Sequence, residues 1–299
     1  MIKTKRKNYI IGIDIGGTRT AVLFLKNRKV IKRKMIATPK DKITMIRELK
    51  RAIEEIILPI DKSKVRGIGI AVAGSVDSQK GIILVSPNLL WLKNLALARI
   101  LEQKLGIPVK MDNDANCFAL AEATLGAGKG VKNLVGITLG TGVGGCIILD
   151  GKIYHGAHGL AGEIGHIIVI ENGRKCACGL RGCLEQYASS QYMLWKAKDL
   201  SSTEEIAKRA RMGNKKFLKI YAEVGYYLGI GLVDIINAWD PEMIIIGGGL
   251  IHGWQWILPS IKKEIKKDFF PSARMVKIKK AELGGDYAGS IGAALLFKD

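Results

Sequence analysis

Between Gly162 and Glu185 the chain reads GEIGHIIVIENGRKCACGLRGCLE, which sets one histidine and three cysteines among glycines. Cys176, Cys178 and Cys183 follow His166 at offsets of 10, 12 and 17. One imidazole nitrogen and three thiolates form a donor set that closes a tetrahedral zinc site. The Cys-x-Cys-x4-Cys spacing is tighter than the common finger spacings, and three small buried hydrophobes are the alternative reading. The Gly, Arg, Lys and Asn around them favour the metal, because a core would not carry such neighbours. Four protein ligands leave no coordination place for water, so the expected zinc is structural. It would fix the direction of the His166 ring and leave the second nitrogen to address a ligand. Glu163 and Glu185 bracket the loop. Two carboxylates beside a pinned imidazole suit a polyhydroxylated molecule, whose hydroxyls need rigidly placed acceptors. Taken alone, each glutamate reads equally well as a solvated surface carboxylate.

Three glycine turns carry a second kind of chemistry. Asp14-Ile15-Gly16-Gly17-Thr18 puts a carboxylate at a strand end and two glycines in the turn after it. Glycine lets backbone N–H groups approach an anion closely. Leu139-Gly140-Thr141-Gly142-Val143-Gly144-Gly145 repeats the device with a hydroxyl added, and Ile246-Gly247-Gly248-Gly249 follows a third strand and precedes a helix. Any one of them reads as an ordinary turn; three at strand ends, in two matched halves, point to a polyphosphate. The chain has no Walker A segment and no dinucleotide fingerprint in its strand–helix setting. Asn113-Asp114-Ala115-Asn116 marks a strand giving way to a helix in mid-chain. Phosphoryl transfer needs positioning, charge neutralisation and a base for the acceptor hydroxyl. Asp114 is the candidate base, although position alone prefers the reading of an acid favoured by a helix start.

The elements that must position these residues follow from periodicity. Tyr9–Gly17, Thr20–Leu25 and Lys29–Ile36 alternate as three antiparallel strands. Ile43, Ile46, Leu49, Ile53 and Ile56/Ile57 recur at helical spacing. A strand over Val65–Gly74, a helix over Leu95–Leu105, a strand over Ile107–Asn113 and a helix over Asp114–Ala127 complete a first half. Asn133–Tyr154 again reads as three strands with glycine turns. The zinc loop follows, then helices to Trp239, a strand over Met243–Gly249, a helix over Trp254–Lys267, a strand near Val276–Ile278 and a helix over Ala288–Phe297. The fold class expected is α/β with two domains of like topology facing each other across a cleft. Residues 1–113 make the smaller domain, on which a C-terminal helix of about 288–299 packs back; residues 114–287 make the larger one, with the zinc loop.

Composition bounds the partners. A 48% apolar content with 36 glycines fits a globular α/β enzyme rich in tight turns. No apolar run reaches the length of a membrane span. The basic start MIKTKRKN lacks a following secretory segment, so a cytoplasmic protein is expected. Three clustered thiolates fit a reducing compartment, and Cys117 and Cys146 read as core residues. The net charge of +20 is dispersed rather than gathered in a stripe, which favours an enzyme handling polyphosphates over a nucleic-acid binder.

Together these residues resemble the ROK family of sugar kinases and sugar-responsive repressors, nearest to its glucokinases, across nearly the whole chain. DIGGT (Asp14–Thr18) and GTGVGG (Gly140–Gly145) look like the two phosphate motifs, and NDAN (Asn113–Asn116) like the catalytic segment. GEIGH with CACGLRGC looks like the zinc signature, and SPNLLW (Ser86–Trp91) like the segment after the family's G-x-V-D turn. The resemblance implies an actin-like, ribonuclease-H-type ATPase fold with the sugar in an interdomain active-site cleft. It implies Asp114 as base toward a sugar 6-hydroxyl, with Gly74, Asn88, Asn113, Glu163, His166 and Glu185 as sugar ligands. Structural Zn²⁺ would sit on His166, Cys176, Cys178 and Cys183. Asp14, Gly16, Gly17, Thr18, Gly140, Thr141 and Gly142 would handle the phosphates of ATP with Mg²⁺, and Gly247, Gly248 and Gly249 the adenosine. Homodimers or homotetramers are implied, with neither nucleic acid nor membrane as partner. Arg19 stands where relatives often have Lys and keeps the cation, so nucleotide binding is expected to survive. Ala73-Gly74-Ser75 replaces a common Gly-Pro, which leaves the sugar open among glucose, N-acetylmannosamine, fructose and mannose. A repressor would need a DNA-binding domain, for which the 13 residues before Asp14 are too few.

Overall fold

The computed structural model describes residues 8–283 and 287–297; most of the basic MIKTKRKN start lies outside them. The contacts divide the chain into two compact units. The first takes Met1–Gly126, His155–Ala161 and Leu283–Asp299; the second takes Ala127–Tyr154 and Gly162–Glu282. In chain order the first unit begins with β1 (Tyr9–Ile15), β2 (Arg19–Lys26), β3 (Lys29–Ala37), α1 (Lys42–Ile57) and β4 (Val65–Val72). β5 (Ser75–Asp77), β6 (Ile82–Val85), α2 (Leu97–Leu105), β7 (Val109–Asn113) and α3 (Asp114–Leu125) follow. The second unit holds β8 (Leu134–Leu139), β9 (Val143–Leu149), β10 (Lys152–Ile153), α4 (Glu185–Ala188), α5 (Ser190–Ala197), α6 (Thr203–Arg211) and α7 (Lys215–Trp239). It continues through β11 (Met243–Gly247), α8 (Trp254–Ile265), α9 (Pro271–Met275) and β12 (Lys277–Lys280), and the chain then re-enters the first unit as α10 (Ala288–Leu295).

The first sheet runs β3-β2-β1-β4-β7, with β1 to β3 antiparallel and β4 and β7 parallel to β1. Strand alternation sends Ile11, Ile13 and Ile15 to one face, where α1 and α2 bury them with Ile68, Ile70, Leu49, Ile53 and Leu101. Each such side chain is worth about 1.5–3 kcal/mol of transfer free energy. The opposite face is flat at Gly12 and Gly69, which pair in register. A Cβ on Gly12 would collide with the Ser290 carbonyl, and one on Gly69 with the Ala293 carbonyl. Two missing side chains therefore let α10 lie directly on β1 and β4, where it also packs on α3.

The second sheet runs β10-β9-β8-β11-β12 and repeats the same pattern of three antiparallel strands and two parallel ones. Its core is closed by α7, whose Phe217, Ile220, Val224, Leu228, Leu232 and Ile235 recur at three and four and are buried. Asn214 caps the start of α7 through the Lys216 N–H, and Asp240 ends it in the left-handed region. The edge strand β12 presents exposed lysines at 277, 279 and 280, which discourage edge-to-edge pairing. Among the described residues no helix is long and apolar enough to cross a membrane.

Three readings shift. The buried stripe of α1 passes through Met45, Leu49, Ala52, Ile53 and Ile56, leaving Ile43 78% exposed at the first turn, because Asp41 caps the helix two residues earlier. The hairpin β5–β6 has no counterpart in the periodic reading. Its strands are too short to alternate, and it stands on buried Val76 and Ile83 and on the Asp77 carboxylate, which accepts the Lys80 N–H at 2.9 Å. Finally, the reading divided the chain at 113/114, whereas α3 groups with the first unit. α3 packs on α10 and touches β4 and β7, so it belongs to the helical layer on that face of the first sheet.

Candidate active site

The first unit gathers one group of candidate residues at the junction of β7 and α3. Asn113 has extended backbone and caps α3: its Oδ1 accepts the N–H groups of Ala115 (2.8 Å) and Asn116 (3.3 Å). Its Nδ2 donates to the Gly74 carbonyl at 2.9 Å. Gly74 sits at φ +121, and a Cβ there would collide with the Val85 carbonyl, so only glycine fits this turn. One side chain thus ties two candidate sugar residues together. Asp114 follows in the first turn of α3, partly exposed, with its Oδ1 3.0 Å from the Ala115 N–H.

The turn between β1 and β2 lies in the same unit. Gly16 N–H closes it on the Arg19 carbonyl at 3.0 Å. Thr38 at the end of β3 braces it, its N–H on the Thr18 carbonyl (2.9 Å) and its Oγ1 on the Gly16 carbonyl (2.8 Å). Gly17, Thr18 and Arg19 remain exposed. A Cβ on Gly17 would stand 3.4 Å from Asn88 Cβ, so the first phosphate candidate and a sugar candidate are neighbours. The Asp14 carboxylate lies against Gly289 in the first turn of α10.

The second unit gathers a separate group of candidate residues around the His166, Cys176, Cys178 and Cys183 loop. The donor atoms of His166, Cys176, Cys178 and Cys183 all lie within 4.8 Å of one another. Cys176 Sγ stands 3.6 Å from His166 Nδ1, and Cys178 Sγ 3.6 Å from Cys183 Sγ. Tetrahedral zinc with its usual Zn–S and Zn–N bonds separates such ligand atoms by roughly 3.5–3.8 Å. The quartet therefore fits Zn²⁺. Burial pushes the Cys183 thiol up to about 12, whereas the Leu180 N–H holds the Cys178 thiol below the ordinary cysteine range. A bound metal would override both by taking thiolates. With Nδ1 turned to the thiols, His166 Nε2 points to the Glu163 carboxylate, 4.0 Å away.

The same loop is bound to the second glycine turn. The short turn Ile164–His166 packs on β9, where Gly165 abuts the Val143 carbonyl. Glu185, at the start of α4, accepts the Val143 N–H at 3.0 Å, and its carboxylate fills the space a side chain at Gly142 would need. Gly140 N–H closes the turn on the Gly142 carbonyl at 2.9 Å and leaves Thr141 exposed. Gly247 pairs with Thr138, and Gly248, at φ +89, abuts Leu139, so the second and third glycine segments lie side by side. Next to Gly249 a recess of about 190 Å³ is lined by Thr203, Glu204, Arg211, Tyr221 and His252.

Sequence reasoning missed Thr38, this recess, and a pair that joins Asp112 to His155. The partners in each case are far apart in the chain and carry no shared spacing, so only the fold unites them. Asp112 lay inside a strand reading and His155 inside a loop.

Two sheets of identical strand order, each with a glycine turn after its first strand, define an actin-like ATPase fold of the sugar-kinase type. The ROK family model matches residues 10–299, and the chain belongs to that family. Among curated relatives, a glucokinase of Halalkalibacterium halodurans is 35% identical over 315 residues, covering 97% of this chain and 95% of the relative. Among solved structures, a ROK family glucokinase from Streptomyces griseus in complex with glucose and AMPPNP superposes with a TM-score of 0.83 at 33% identity, covering 96% of this chain and 98% of that one. A ROK hexokinase from Thermus thermophilus gives 0.82 at 29% identity, covering 96% and 97%.

Proposed function

We propose that this protein is an ATP-dependent glucokinase, transferring the γ-phosphoryl group of ATP to the 6-hydroxyl of glucose. The observation that carries the reading is the His166 ring, turned by its thiol partners so that Nε2 addresses Glu163. An imidazole and a carboxylate fixed in this way are what a sugar with several hydroxyls requires. The near full-length likeness to a glucokinase and to a glucose- and AMPPNP-bound structure supports the substrate pair.

In this reading Asp114 accepts the 6-hydroxyl proton as the oxygen attacks. Gly74, Asn88, Asn113, Glu163, His166 and Glu185 hold the sugar's other hydroxyls. The turns carrying Asp14, Gly16, Gly17, Thr18 and Arg19, and Gly140, Thr141 and Gly142, hold the phosphates through backbone N–H groups and cationic or hydroxyl side chains. Gly247, Gly248 and Gly249, with the recess beside them, take the adenosine. Mg²⁺ bound with ATP would neutralise charge on the transferred group. Zn²⁺ on His166, Cys176, Cys178 and Cys183 would be structural. The two compact units, with α3 and the C-terminal helix in the first, act as the two lobes, in a cytoplasmic homodimer or homotetramer.

The test is a coupled assay of ADP formation across glucose, mannose, fructose and N-acetylmannosamine, with ATP and with polyphosphate as donors. Glucose with ATP is expected to give the highest kcat/KM. ADP formation that no hexose stimulates would refute the kinase assignment, and a preference for another sugar would refute glucose.

A further inference from the structure

Asp112 immediately precedes the Asn113-Asp114 pair, and its carboxylate is only 4% exposed. Three donors surround it. Oδ1 accepts the Asn113 N–H at 2.8 Å and Asn116 Nδ2 at 2.7 Å, and Oδ2 lies 2.7 Å from His155 Nε2. His155 opens the segment His155–Ala161, which belongs to the first unit although the chain on either side of it belongs to the second. The segment closes on itself through Ala161 N–H and the His155 carbonyl (3.0 Å), and it leads directly into Gly162 and Glu163. An ion pair therefore ties the start of this segment to the strand that leads into the proposed base.

We infer that His155 is a positioning residue for phosphoryl transfer: its imidazolium holds Asp112, and Asp112 in turn holds the Asn113–Asp114 peptide and Asn116 in the register that aims Asp114. This rests on the reading of Asp114 as base. The mechanism is electrostatic. A carboxylate this buried is costly without a charged partner, and a charge-assisted bond is roughly twice as strong as a neutral one. When the imidazole loses its proton, the neutral ring can still donate, but the carboxylate loses its counter-charge and the register loosens.

Other charges face the pair across a recess of about 550 Å³. Lys80 comes from the β5–β6 turn and is paired with Asp77 at 3.2 Å. Arg99 and Glu102 come from α2, and Glu102 accepts the Val109 N–H at 2.8 Å. Lys110 comes from β7 and donates to the Leu296 carbonyl at 3.1 Å. The three cations oppose protonation of His155, and Glu102 favours it at longer range. The direct bond to Asp112 outweighs burial, so the imidazole titrates above the usual histidine value. The paired form is thus complete below about pH 6.5 and is lost as pH rises through the raised value.

The experiment measures kcat and KM for glucose and ATP from about pH 5.5 to 9 in the wild type and in His155→Gln, His155→Ala and Asp112→Asn, with Tm for each. Wild-type kcat is expected to fall along an alkaline limb above the ordinary histidine value. His155→Gln, which places an amide nitrogen near Nε2 but does not titrate, should lose that limb and run flat near the high-pH level. His155→Ala should lower kcat about 10-fold with KM nearly unchanged, within the ~10²-fold that a misplacement of about 1 Å costs. A limb that persists in His155→Gln, or wild-type kcat in a folded His155→Ala, overturns the inference. If His155→Ala does not fold, His155→Gln decides. Asp114→Asn separates the two readings. Normal turnover there removes the base and His155's role with it, whereas lost turnover there beside unaltered His155 variants removes only the latter.

Discussion

Asn113 performs two mechanical tasks that substitution can separate. Replacing it with alanine removes the cap on α3, worth about 1 kcal/mol. It also strands the part-buried Gly74 carbonyl, for which the loss of a hydrogen bond is about 1 kcal/mol. The two bonds issue from opposite ends of one amide, so their sum is about 2 kcal/mol for Asn113→Ala. Asn113→Asp keeps an oxygen on the Ala115 N–H, and its charge suits a helix start. It loses only the donor to Gly74, so it should cost about half as much. In a unit of this size ~1 kcal/mol moves Tm by roughly 2–4 °C, which predicts a fall of about 4–8 °C for alanine and half that for aspartate. Urea unfolding followed by circular dichroism, alongside glucose KM, reads both effects. KM should rise in both variants, because the Gly74 turn is released in both. An aspartate variant less stable than the alanine variant would refute the division of labour between cap and strut.

Asp114→Asn should retain glucose binding by calorimetry while kcat falls by at least the ~10²-fold of a general base; wild-type turnover would discard that role. Chelation, or Cys178→Ser, should remove stoichiometric zinc measured by mass spectrometry, lower the Tm and raise glucose KM through a loosened His166. A zinc-free protein with unaltered KM would dissociate the quartet from the sugar. Gly69→Ala forces a Cβ into the Ala293 carbonyl and should cost about 1–3 kcal/mol by overpacking, whereas alanine at exposed Gly130, which faces open space at φ +88, should show only the strain of its backbone. Equal losses at the two sites in thermal unfolding would contradict the close seating of α10.

Local pattern alone determined a good deal of this protein. Ile11, Ile13 and Ile15 alternate, so β1 and its buried face are legible, and the four zinc donors crowd into one loop, so their convergence follows from short tethers whatever the rest of the chain does. Asn113-Asp114 was legible as a helix start because a cap bonds to its own next turn. Other features depended on contacts across long stretches of chain. The stripe of α1 moved to Met45, because the sheet it covers, not the period, chooses which neighbouring apolar residues go inside. The grouping of α3 with the first unit waited on α10, which arrives more than 160 residues later. Thr38 bracing the first turn and His155 reaching Asp112 likewise have no spacing to betray them. A periodic pattern reports which face of an element is apolar; which partner meets that face, and which buried carboxylate then finds its counter-charge, is decided only when distant segments pack.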